Sequence, residues 1–177
     1  MLRAFLKMLR ASDGLAAVEF AFIAPVMILM FFGAVELTTA VDCRTRVTSV
    51  ASTAADLVAQ ETSVSSTDMS NVFAALNAIL YPYSSGGAKI VISSIVDNGN
   101  NTAKVAWSDA QNTTARTVGS TVTVPAGLIV SGSGGSVILA EITYAYASPT
   151  TKVLTGTVSM VNSFYAHPRR SLTVTHT

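Results

Sequence analysis

Apolar and polar positions are distributed unevenly along this chain. From Leu15 to Val35 the sequence reads LAAVEFAFIAPVMILMFFGAV, 21 residues in which Glu19 is the one charge. A helix of that length rises about 32 Å at ~1.5 Å per residue, enough for a ~30 Å hydrocarbon core. A buried helix of a soluble protein usually has a shorter apolar run. A secretory signal has an apolar region of about 7–15 residues and then a small-residue cleavage site, and Glu19 interrupts the start of this one. A lipoprotein anchor at Cys43 fits poorly, because Asp42 stands where a small residue is wanted. The pattern predicts one membrane-spanning helix, residues 15–41. Pro25 lies inside it and removes the hydrogen bond to the Ala21 carbonyl, so a kink is expected there.

Beyond the span the period changes. Val47, Val50, Ala51, Ala54, Leu57 and Val58 recur at three- and four-residue steps, so the helix is expected to continue to about residue 61. Thr62–Thr67 reads as a loop. A second helix follows, capped near Ser66 or Thr67 with Asp68 in its first turn, and Pro82 with Gly86-Gly87 ends it. Its apolar face is Met69, Val72, Phe73, Leu76, Ile79 and Leu80. Lys89–Val96 and Thr102–Trp107 are β-branched runs around Asp97-Asn98-Gly99, a hairpin signal. A polar connection over Ser108–Ser120 leads to Thr121–Val124, and Val137–Tyr146 and Val153–Tyr165 read as further strands. The sum is an α+β chain: a long N-terminal transmembrane helix continuing into a head with a second helix and an antiparallel sheet of about four strands.

Composition supports the membrane reading. Only 12% of the 177 residues are charged, against roughly 25% in soluble domains. The net charge of +1 and 7% aromatics argue against a nucleic-acid partner. Arg3, Lys7 and Arg10 precede the span and Arg44 and Arg46 follow it, a bias that places the N-terminus in the cytoplasm. No G-x-S-x-G elbow, acid–base carboxylate pair or His/Cys cluster with metal-ligand spacing stands out, so neither an enzyme nor a metal, cofactor or small-molecule substrate is expected. Cys43 leaves two readings, an intermolecular disulfide outside the membrane or an inert small residue, and the inert one is favoured. Trp107 is expected in the core. Glu36, Arg169 and Arg170 are expected to be solvated and His167 to be solvated or to cap a strand, with no chemistry attached to Glu36.

Glu19 is the anomaly. A carboxylate at a helix centre costs about 2.5–3.5 kcal/mol on insertion scales, and less near an interface. It stands fifth counted from Leu15, with Gly14 before and Phe20 after. The arrangement Gly14, Leu15-Ala16-Ala17-Val18, Glu19-Phe20 resembles the prepilin-peptidase site of the Flp and TadE group of pilins. The resemblance implies cleavage between Gly14 and Leu15. It also implies that Glu19 and Phe20 register neighbouring subunits, the carboxylate pairing with the new terminal amine of a neighbour. Each charge is costly alone in hydrocarbon and tolerable when paired.

The head resembles the TadE/TadG group more loosely, through Val105-Ala106-Trp107-Ser108, Pro125-Ala126-Gly127-Leu128, Glu141-Ile142-Thr143-Tyr144-Ala145-Tyr146 with Pro149, and His167-Pro168-Arg169-Arg170. The inserted adhesion-type domain of the larger family members is not seen. The implied organisation is a leader at 1–14, a transmembrane helix at 15–41 and a periplasmic pilin-like domain at 42–177. The implied role is that of a minor pilin (pseudopilin) in assembly of a tight-adherence, Flp-type pilus. Its partners would be the bacterial inner membrane, a prepilin peptidase, other pilins or pseudopilins and the inner-membrane pilus platform. The alternative is an unprocessed single-span protein whose anchored periplasmic domain serves as a binding or scaffold module.

Overall fold

The computed structural model describes residues 13–99, 102–129, 132, 134–150, 153 and 155–177; most of the expected leader, residues 1–12, lies outside them. The chain divides into two compact units. One comprises Met1–Ala40 with Ala147–Gly156, the other Val41–Tyr146 with Thr157–Thr177. Helix α1, Asp13–Ala59, contributes to both, and its assignment passes through Pro25 without a break.

In the second unit, α1 buries Cys43, Val47, Val50, Ala51, Ala54, Ala55, Val58 and Ala59. These small side chains let neighbouring elements approach the helix backbone closely. The helix ends where Gln60 N–H turns back to the Asp56 and Leu57 carbonyls, and the Ala59 carbonyl accepts from Arg169 N–H at 2.8 Å. The Arg169 guanidinium also meets the Asp56 carboxylate. Arg169, expected to be merely solvated, thus puts a cation where the helix dipole is negative; Arg170 and His167 are exposed.

Strand β1 (Ser63–Val64) precedes helix α2 (Ser66–Leu80). The N-cap is Ser65, one residue before the expected position, because Asp68 completes a capping box only with the residue three before it. Met69, Leu76 and Leu80 are buried on α2, while Val72, Phe73 and Ile79 are half-buried. At the other end Arg46 of α1 donates to the Ile79 carbonyl at 3.3 Å and the Tyr81 carbonyl at 2.6 Å. Asp42 accepts from Arg46 Nε at 3.0 Å and from the Tyr83 hydroxyl at 2.9 Å. Those bonds hold Asp42 below its usual carboxylate range, while burial, and then Asp42, push Tyr83 up to about 12.

Five strands form the main sheet in the order β4-β3-β2-β5-β6: β2 Ala88–Asp97, β3 Ala103–Gln111, β4 Thr121–Val122, β5 Ser136–Ala147 and β6 Thr157–Ala166. The pairs β2–β3, β2–β5 and β3–β4 are antiparallel. Ile90 lies opposite Ile142 and Ile92 opposite Ala140, giving one apolar face that Tyr144 and Tyr146 extend. Cys43 of α1 lies near the Tyr144 and Tyr83 rings on this side. A register shift between Ser94 and Ile95 sets Trp107 opposite Ser94 but Val105 opposite Ile95. The extra residue in β3 moves Val105 and Ala103 to the other face, where they cluster with Ile95, Val122, Val137 and Leu139. Above that face the 112–120 loop is pinned by Arg116, whose Nε and Nη2 donate to the two Glu141 oxygens at 2.7 and 2.8 Å.

Strand β7 (Thr175–His176) pairs in parallel with β1, a two-stranded sheet that no period announces. Buried Trp107 donates its indole N–H to the Val174 carbonyl at 2.7 Å, and His176 Nε2 lies 2.8 Å from Asp109 Oδ2. Several strand boundaries also differ from expectation, β4 among them, which ends at Val122 rather than Val124. Strand β3 runs on to Gln111, since Ser108 and Asp109 pair with Ser93 and Ile92. Strand β6 begins at Thr157 rather than Val153, whose N–H is used elsewhere.

Candidate functional site

Within the first unit, α1 carries large apolar side chains all round. Phe20, Phe22, Ile23, Val26, Met27, Ile28, Leu29, Met30 and Phe31 are all exposed, Phe22 at 77%. No apolar stripe alternates with a polar one here, so the surface suits a medium that is apolar on every side. It is the one candidate membrane span among the described residues, and it anchors the chain in a membrane.

Gly14 and Leu15 lie on α1. Glu19 follows one turn later and is exposed, as is Phe20. Gly14, Leu15, Glu19 and Phe20 thus all lie on one continuous helix.

Glu36 departs from expectation. It is 1% exposed rather than solvated. The segment Ala147–Gly156 supplies its partners: the Thr150 hydroxyl donates to Oε1, and Val153 N–H donates to Oε2 at 3.1 Å and to Oε1 at 3.3 Å. A Cβ built on Gly33 would meet the Val153 side chain at 3.9 Å, an ordinary contact. A buried carboxylate needs such donors to offset its desolvation. Glu36 is thus an anchor that straps the 147–156 segment to the helix. Its partners are 114 and 117 residues away in sequence, so nothing near Glu36 could have signalled the role.

Two neighbouring threonines are adapted in another way. Thr38 donates its hydroxyl to the Ala34 carbonyl at 2.8 Å and Thr39 to the Glu36 carbonyl at 2.9 Å. Hydroxyls satisfied by their own helix remove the cost of unpaired donors beside an apolar phase.

Cys43, in the second unit, is fully buried, and burial pushes its thiol up to about 11. The thiolate, which is the reactive form, is thereby suppressed, consistent with the inert reading.

Residues 14–56 match the family model described as TadE-like protein, a match that begins at Gly14 and ends within α1. No curated protein matches the chain, and no solved structure does.

Proposed function

We propose that this chain is a membrane-anchored minor pilin (pseudopilin), cut by a prepilin peptidase between Gly14 and Leu15 and acting in assembly of a tight-adherence pilus. The TadE-like segment and the apolar anchor helix support a membrane protein associated with such a pilus system. The observation that carries the finer reading is Glu19. It is the one charge between Leu15 and Val35, exposed on a helix whose other side chains suit lipid. A charge so placed is stabilised by a cation brought to it. The family resemblance implies that the amine freed on Leu15 of a neighbouring subunit is such a cation.

In this scheme the basic leader, with Arg3, Lys7 and Arg10, stays on the cytoplasmic side and the head lies in the periplasm. The prepilin peptidase meets the Gly14–Leu15 bond at the cytoplasmic membrane face. Glycine has no Cβ, so a protease can close on its backbone. After cleavage the helices of this chain and of other pilins or pseudopilins pack side by side on the inner-membrane platform, with Glu19 and Phe20 setting the register. The role is structural and non-catalytic.

Mass spectrometry of the native chain from cells with an intact prepilin peptidase tests the first step. A mature chain beginning at Leu15 is expected, and one retaining Met1 overturns the processing step. For the second step, Glu19→Ala is expected to be cleaved normally while piliation falls. Normal pili with this variant would remove the pairing role.

A further inference from the structure

We propose that β6 is a docking edge for a second copy of this chain, two β6 strands pairing antiparallel about a twofold axis at Val161. The inference concerns the head alone and does not depend on the pilus reading.

The two edges of the main sheet are unlike. At one end β4 is two residues long, Thr121–Val122. At the other, β6 runs for ten residues, Thr157–Ala166, and is last in the strand order. A long edge offers a row of backbone donors and acceptors to another strand, and proteins usually blunt such edges with lysine, proline, inward charges or shortness. TVSMVNSFYA contains no charged residue, no proline and no glycine. It also leaves large apolar side chains uncovered: Val161 is 72% exposed, Val158 46% and Phe164 44%. Asn162 donates to Thr48 of α1 at 2.7 Å, which holds the strand in place without covering those three.

The occupant follows from the strand's own sequence. With no charge, β6 offers nothing to discriminate an acidic or basic peptide. It is, however, complementary to itself. Paired antiparallel about Val161, that residue lies opposite its own copy, Val158 opposite Phe164, Ser159 opposite Ser163, and Met160 opposite Asn162. Residues directly opposite share a face, so the register joins each of the three exposed apolar side chains to another. A shift by one residue would set either Val161 against Asn162 with Val158 against Tyr165, or Val161 against Met160 with Val158 against Ser163, and Val161 would lose its own copy in both. Pairing in the first register would fuse two five-stranded sheets into one of ten.

The test uses the full chain in detergent micelles with Cys43 replaced by alanine. Opposite residues in an antiparallel pair have Cα atoms about 4.5–5.5 Å apart, within disulfide reach. Val161→Cys is therefore expected to give a disulfide-linked dimer under mild oxidation several-fold faster than Val118→Cys, a loop position of similar exposure at 65%. A mixture of Val158→Cys and Phe164→Cys chains should cross-link, and Val161→Lys should abolish that cross-link, since it sets like charges opposite each other. Equal rates at Val161 and Val118 overturn the proposal. So does a dimer held only through the apolar helix, revealed by cross-linking of Ile28→Cys but not of Val161→Cys.

Discussion

The two halves of α1 are one helix in sequence and two in physics. Between Phe20 and Phe31 nine large apolar side chains are uncovered. From Cys43 to Ala59 the buried positions are alanine, valine and cysteine, and the outward ones include Arg44, Thr45 and Thr48. Helix propensity does not separate the halves, since valine, threonine and phenylalanine are similarly middling helix formers. What differs is the surroundings each is built to meet. The first half must satisfy a medium that is apolar on every side, so size and shape are free and charge is not. The second half must fit a sheet and another helix, so size is constrained and charge is tolerated on the far side.

Paired substitutions test that contrast most strongly. Leu76 of α2, 0% exposed, stands in the packed head, and Leu29 in the uncovered half of α1. Leu76→Ala is expected to cost about 2–5 kcal/mol of head stability, the range for emptying a well-packed site. Leu29→Ala should change it by less than about 0.5 kcal/mol, as for a surface position. Leu29→Arg, by contrast, should impair membrane insertion by about 2.5–3.5 kcal/mol. Denaturant unfolding in micelles reads the first pair, and the membrane-inserted fraction reads the third variant. A head destabilised equally by Leu29→Ala and Leu76→Ala would dissolve the distinction.

The next comparison lies inside the first unit, between the two acids of the anchor helix. Glu19 is exposed and Glu36 buried. Glu36→Leu removes the acceptor for Thr150 Oγ1 and Val153 N–H, at a cost of about 1–3 kcal/mol for losing part-buried hydrogen bonds to a carboxylate. Amide exchange at Val153 and proteolysis within the 147–156 segment should both accelerate, and Glu19→Leu should leave both unchanged. Unchanged protection at Val153 in Glu36→Leu would mean that the strap is held by something other than this carboxylate.

Sequence reading reached far where a period persisted and stopped where it did not. The anchor, its extension and α2 each repeat a spacing over several turns, and five of the strands alternate or follow a turn signal. The parallel pair β1–β7 has two residues per strand, too few for any period. The shift in β3 was hidden because Val105 and Trp107, two apart, look like one face and are placed on opposite ones. Glu36, near the outer end of the expected span, and Arg169, one of a basic pair near the C-terminus, both read as solvated; in each case the partner comes from distant sequence. At the candidate site, Gly14, Leu15, Glu19 and Phe20 stand out through the family resemblance that their spacing carries, while the strap on Glu36, built from distant sequence, was invisible to any local pattern.

The smallest expected effect concerns local against distant contacts in the head. The cap of α2 is wholly local. Ser65 Oγ accepts from Asp68 N–H at 3.2 Å, and Asp68 Oδ2 accepts from Ser65 N–H at 2.9 Å and from Ser65 Oγ at 2.7 Å. The Ser65 hydroxyl, and then its backbone N–H, hold Asp68 below its ordinary value of 3.8. A carboxylate with a depressed native value contributes stability that is present above its unfolded value and lost as pH falls through the native one. Head stability should therefore carry this contribution unchanged from neutrality down to about pH 4 and lose it below. Ser65→Ala removes the hydroxyl as both donor and acceptor. It should cost roughly 1 kcal/mol at pH 7, through the lost acceptor for Asp68 N–H, and raise Asp68 toward 3.8, so that the difference between wild type and variant narrows in acid without vanishing. Carboxyl titration by NMR and unfolding at pH 7 and about pH 3 read both effects. If Asp68 titrates identically with and without the Ser65 hydroxyl, the cap is held by the backbone alone and the first turn of α2 owes its place to the buried Met69 instead.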